Sequence, residues 1–140
     1  MNVFFTLILA LALTSPAHAD EAKAETCLRT KVWDGYADGW AIRTMTSTTL
    51  EAGKTKSYLV TLYPGKEYFI QTCGAPGITE LDVLLYDTDG KVVQRGTSNG
   101  REPTLTLSSD KMASYYVVLH ARAMAADTKS AGVALAVTYR

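Results

Sequence analysis

The sequence predicts a mainly β protein, an antiparallel β-sandwich with a short N-terminal helix. Three observations carry that reading. From Thr55 onward apolar residues follow a period of two, with Tyr58, Val60 and Leu62 alternating against Leu59, Thr61 and Tyr63. Turn signals interrupt the alternation at Pro64-Gly65, Asp87-Thr88-Asp89-Gly90 and Asn99-Gly100. Between those turns the segments are short, and strands repeating roughly every eight to twelve residues are the mark of a sandwich or barrel.

Taken in order, residues 1–19 read as a processing segment. An apolar run from Val3 to Leu13 leads through Thr14-Ser15-Pro16 to Ala17-His18-Ala19, a small-x-small cleavage site. The run is well short of the roughly 20 apolar residues that a membrane span needs. No Lys or Arg precedes it, so the α-amino group supplies its positive charge. The expectation is a secretory signal peptide, a mature chain beginning at Asp20, and a periplasmic or secreted location. The remainder, about 120 residues, suits one domain with a real core.

Glu21 to about Tyr36 is expected to be helical. Ala22, Lys23, Ala24 and Glu25 favour helix, Leu28, Val32 and Tyr36 form an apolar stripe, and Cys27 borders it. Gly35 and Gly39 then weaken the pattern. Ala41–Leu50, rich in Thr and Ser, suits an extended edge. Strands are then expected from Thr55, over Lys66–Cys73, around Leu81, Val83 and Leu85, and over Lys91–Arg95, Thr104–Leu107, Ser114–Ala121 and Val133–Tyr139. The faces opposite the inward ones carry Leu84, Tyr86, Tyr116 and Val118, too apolar for a face left in water. The helix is therefore expected to cover them.

Composition excludes several function classes. Fourteen basic residues balance fourteen acidic ones. A neutral chain has no electrostatic footprint for nucleic acid, and it lacks the basic face of a surface-bound membrane helix. The two cysteines, Cys27 and Cys73, both lie in the exported part. An even count in an oxidising compartment reads as one disulfide. Two thiols and a single mature histidine fall short of a structural zinc set.

From Thr55 to Tyr139 the chain resembles the bacterial pre-peptidase C-terminal family of β-sandwich domains. The matching residues are Tyr58-Leu59-Val60-Thr61-Leu62, Gly65, Tyr68-Phe69-Ile70, Leu81 through Asp87, Asp89-Gly90, and Ser114-Tyr115-Tyr116-Val117-Val118. The resemblance implies a jelly-roll-like sandwich of about eight strands. It also implies a non-catalytic module of the kind found beside secreted proteases, some relatives of which bind collagen or polysaccharide and carry calcium. Here no protease shares these residues and a cysteine-bearing helix is added, so the expectation is a stand-alone exported protein.

The chemistry-bearing residues are few. His120, on a strand with Tyr116, Val118 and Arg122, has no recognisable nucleophile context, and no Gly-x-Ser-x-Gly elbow occurs. Glu80, Asp82, Asp87 and Asp89 form an acidic group. Asp87-Thr88-Asp89-Gly90 opens like a calcium-binding EF-hand loop, but Val92 replaces its glycine and Ser98 its bidentate glutamate. Turn formation is the expected role, no cofactor is expected, and calcium is the alternative that the relatives imply. Trp33, Tyr36 and Trp40 could be a sugar-stacking or protein-binding patch, but burial of the helix against the sheet is the expected role.

These readings lead to an exported, monomeric, non-catalytic binding protein with a protein or polysaccharide ligand. The alternatives are an inhibitor or immunity-type protein acting on an envelope enzyme through Gly74–Gly77 or Thr97–Glu102, and a small hydrolase using paired carboxylates.

Overall fold

The computed structural model describes residues 16–97 and 100–140, with side-chain detail from Asp20. Residues 1–15, most of the expected signal peptide, lie outside this range, as do Ser98 and Asn99. A helix, α1 (Pro16–Tyr36), precedes eight strands: β1 (Ala41–Glu51), β2 (Thr55–Leu62), β3 (Glu67–Gly74), β4 (Ile78–Tyr86), β5 (Val92–Arg95), β6 (Thr104–Ser108), β7 (Ala113–Met124) and β8 (Ser130–Tyr139). They form two antiparallel four-stranded sheets, ordered β1-β8-β3-β6 and β2-β7-β4-β5. This is a jelly-roll-like arrangement, in which consecutive strands alternate between sheets except at the β4–β5 hairpin.

Alternation supplies the core. Val133, Leu135 and Val137 of β8 pair beside Ile70 and Tyr68 of β3, all buried. They face Leu81, Val83 and Leu85 of β4 and Val117 and Leu119 of β7, buried equally well. Leu50, Val60, Leu62 and Leu105 close the sides. At roughly 25 cal/mol per Å² of apolar surface, these two facing layers are the main stabilising element.

The helix settles on the first sheet, against the expectation. Its buried stripe is Ala24, Leu28 and Val32. Those residues meet the outer face of β8, where Gly132, Ala134 and Ala136 alternate with the larger core residues. Small side chains let a helix approach closely, and a Cβ on Gly132 would lie 2.5 Å from the backbone nitrogen of Glu21. Polar contacts fix the register. The Gly132 N–H donates to the Asp20 carboxylate at 2.6 Å, the Thr49 hydroxyl to Glu21 at 2.6 Å, and the Ser47 hydroxyl to Glu25 at 2.7 Å. Cys73, on the same face of β3, is joined to Cys27 in a disulfide.

The helix begins five residues before the sequence suggests and ends at Tyr36. Gly39, at a φ of 86°, terminates it in the left-handed conformation that glycine tolerates best. Leu84, Tyr86, Tyr116 and Val118 do lie together on the outer face of the second sheet. No described element covers them. Leu84 is shielded by its neighbours, while Tyr116 and, beside it on β2, Leu59 remain exposed.

Candidate binding surface

The aromatic group Trp33, Tyr36 and Trp40 divides in two. Trp33 is 75% exposed and Tyr36 50%, their rings meeting edge-on at 5.9 Å between centroids. The expectation that these rings bury the helix fails for both. The buried stripe passes through Val32, and one residue further along a helix turns the next side chain about 100° away. Tyr36 leaves the stripe at the helix end. Trp40 does serve packing: it lies 5.4 Å from the Phe69 ring, and the Arg140 guanidinium covers it at 4.4 Å.

Beside the exposed pair, a shallow hollow of about 440 Å³ runs between α1 and β1, lined by Arg29, Val32, Trp33, Tyr36, Ile42 and Met45. Ile42 also lines a second hollow of about 580 Å³ at the end of the sandwich, with Arg43, Tyr63, Lys66, Tyr68 and Tyr139. The two hollows therefore adjoin. A bulge in β1 between Ile42 and Thr44 inserts Arg43 as an extra residue. Bulges re-aim side chains, and this one sets the Arg43 guanidinium 5.1 Å from the Tyr63 ring. The Lys66 ammonium lies 5.6 Å from the Tyr139 ring. Tyr68 is buried, and its hydroxyl accepts the Tyr63 N–H at 2.8 Å.

The sequence marks Tyr63, Lys66, Tyr68 and Tyr139 as strand residues only, and it marks none of these four, nor Arg43, as a site residue. Two weak signals exist: the Tyr-Pro-Gly-Lys turn and the terminal Thr-Tyr-Arg. Neither shows that the turn and the chain end meet, because that depends on β3 pairing with β8.

The other candidate residues are placed as follows. Asp87 shapes its turn: its Oδ1 accepts the N–H groups of Asp89 and Lys91 at 3.0 and 2.9 Å. Gly90 completes the turn at a φ of 82°. Asp89 stands exposed at the tip. Asp82 is not joined to them; it receives Arg122 at 3.0 Å and lies 3.6 Å from His120 Nδ1, while Arg122 also reaches Glu80 at 3.1 Å. Thr55 and Asp82 flank His120 across the sheet, but among the described residues no hydroxyl is hydrogen-bonded to the imidazole. A nucleophile–base contact is thus missing.

Gly74–Gly77 is anchored at its start and exposes only Pro76 at its tip. Gly74 and Ala75 are buried, and their N–H groups donate to Arg101 and Gly132 carbonyls at 2.7 and 2.8 Å. In the second proposed loop, Gly100 and Arg101 carbonyls are likewise engaged by Leu81 and Gly74, whereas Ser98 and Asn99 lie outside the described residues. Glu102 ends that loop against the disulfide, 3.3 Å from Cys27 Sγ and 3.5 Å from Cys73 Sγ, held by Lys31 at 3.1 Å. Among the described residues these three form the one cluster of potential metal ligands, and both sulfurs are spent on each other. No described helix is long and apolar enough to cross a membrane.

No family model matches the sequence, and no curated protein is similar to it. Solved structures are similar in fold. The pre-peptidase C-terminal domain of a collagenase from Bacillus anthracis superposes with a TM-score of 0.54 at 18% identity, over 69% of this chain and 89% of that one. PliG from Aeromonas hydrophila, a periplasmic inhibitor of g-type lysozyme, superposes with a TM-score of 0.55 at 13% identity, over 71% of this chain and 88% of that one. The chain thus has the sandwich fold of the pre-peptidase C-terminal domains, as the sequence resemblance implies.

Proposed function

We propose that this chain is an exported, non-catalytic binding domain that engages a protein partner through Trp33, Tyr36 and Ile42. The observation carrying this reading is the exposure of two large aromatic side chains beside an apolar hollow on a rigid helix end. Leaving Trp and Tyr in water forgoes the stabilisation of burial, and these residues are enriched among the anchors of protein interfaces. A disulfide tying the supporting helix to β3 keeps the anchors in position before binding, which reduces the entropy lost on association.

Three further points support it. The apolar run ahead of Asp20 and the paired cysteines suit an oxidising compartment. His120 lacks a nucleophile among the described residues, which weighs against a serine-type hydrolase, and Arg122 engages both neighbouring carboxylates, Glu80 and Asp82, which weighs against their use as a hydrolytic pair. One protein of similar fold is a periplasmic lysozyme inhibitor, so an envelope enzyme is the partner class we favour.

The test compares the mature chain, residues 20–140, with a Trp33→Ala/Tyr36→Ala double variant in affinity capture from the native envelope fraction. A protein retained by the first and lost by the second is the expected result. Capture of the same proteins by both would overturn the assignment of the surface. Retention of polysaccharide alone would overturn the partner class.

A further inference from the structure

We infer that the hollow at the end of the sandwich receives an anionic group, the carboxylate of an acidic side chain on the protein partner. This rests on the binding reading above and names the chemistry of an adjoining subsite. The lining is one-sided in charge. Arg43 and Lys66 enter it, and no carboxylate is among its lining residues. Within the described residues neither cation has an ion-pair partner, as holds for most of the chain's lysines and arginines; what sets this pair apart is that both enter one hollow without a carboxylate. The nearby acid Glu67 is taken by Arg140 at 2.9 Å.

The hydrogen-bonding capacity is biased the same way. The buried Tyr68 hydroxyl uses its oxygen to accept the Tyr63 N–H, and no described group accepts its proton. That leaves an O–H donor in the same hollow as a guanidinium and an ammonium. A carboxylate is an acceptor only and can take up several donors, and charge-assisted bonds of this kind are the stronger ones. The Tyr63 and Tyr139 rings hold the two cations by cation–π contact, so they are positioned before a ligand arrives.

A peptide acid fits better than an acidic sugar. Sugar rings stack on free aromatic faces, and here a cation already occupies one face of Tyr63 and of Tyr139. The hollow also continues across Ile42 into the apolar one beside Trp33 and Tyr36. An acidic residue flanked by apolar side chains would engage both at once.

Titration of the mature chain with hexaglutamate, followed by backbone amide shifts, tests this. Tri-galacturonate, inorganic phosphate and hexalysine serve as comparison probes. The expected result is salt-sensitive hexaglutamate binding, weakened about tenfold by Arg43→Gln and by Lys66→Gln, less by Arg43→Lys, and unchanged by Lys54→Gln at the exposed opposite end of the sandwich. Both cations are exposed, and an unchanged melting temperature verifies that the variants fold. No hexaglutamate binding at millimolar concentration, equal binding by the glutamine variants, or tighter binding of tri-galacturonate or phosphate would each overturn the inference. Because Trp33 and Tyr36 lie outside this hollow, failure here leaves the capture result standing, and failure there leaves this one.

Discussion

The Gly132 N–H donates to the Asp20 carboxylate across 112 positions of sequence, where the N-terminal part of α1 lies on the beginning of β8. That contact is possible because Gly132 has no side chain; a Cβ there would lie 2.6 Å from the Asp20 carbonyl carbon and oxygen. Helix placement and the identity of this residue are therefore one fact. Gly132→Ala is expected to lower stability by about 1–3 kcal/mol, the range for overpacking a close contact. Urea denaturation monitored through Trp33 and Trp40 would measure it. Stability within about 0.5 kcal/mol of wild type would mean the helix does not bear on β8 in solution.

The disulfide gives a chemical prediction. Cys27 and Cys73 are separated by 46 positions, and closing a loop of that size stabilises by about 4 kcal/mol in the chain-entropy model. Replacing both with serine is expected to lower stability by a few kcal/mol. Denatured protein isolated from the envelope should show no titratable thiol, and two thiols would contradict the pairing.

The Asp87 turn separates a structural carboxylate from a metal ligand. Its Oδ1 already accepts two backbone N–H groups, so Asp87→Ala is expected to cost about 1 kcal/mol with or without calcium. The melting temperature should not move on adding calcium or a chelator. A calcium-dependent rise would show a site that binds the native state.

Tyr58 links the open edges of the two sheets, and burial raises its phenol above the ordinary 10.0, against the opposing pull of hydrogen bonds with Thr46 and Thr48. The neutral form is favoured in the folded state, so the unfolded chain loses this proton first as pH rises. Stability is therefore retained below pH 10 and lost as pH climbs through the folded value. Tyr58→Phe has no such proton to lose. Its stability should decline less than wild type between pH 9 and 11, and parallel profiles would refute the assignment.

Much of the sandwich was legible in the sequence because a strand's alternation is local. Val133, Leu135 and Val137 face inward wherever β8 lies, and Asp87 and Gly90 make a turn whatever follows. The same holds for the helix stripe through Leu28 and Val32, and for the cysteine count that implies one bond in an exported chain. Strand order is not local. Both sheets have apolar residues on their outer faces, so hydrophobicity alone did not determine which one α1 would cover. Leu84 and Tyr116 pointed to one sheet, yet shape decided for the other: Gly132, Ala134 and Ala136 make a flat track for a helix, whereas Leu59 and Tyr116 do not. Small residues carry little hydrophobic signal, and their importance becomes visible when two elements approach. The hollow is further still from the sequence, since the bulge at Arg43, the turn at Lys66 and the chain end at Tyr139 meet only when β1 and β3 pair with opposite edges of β8.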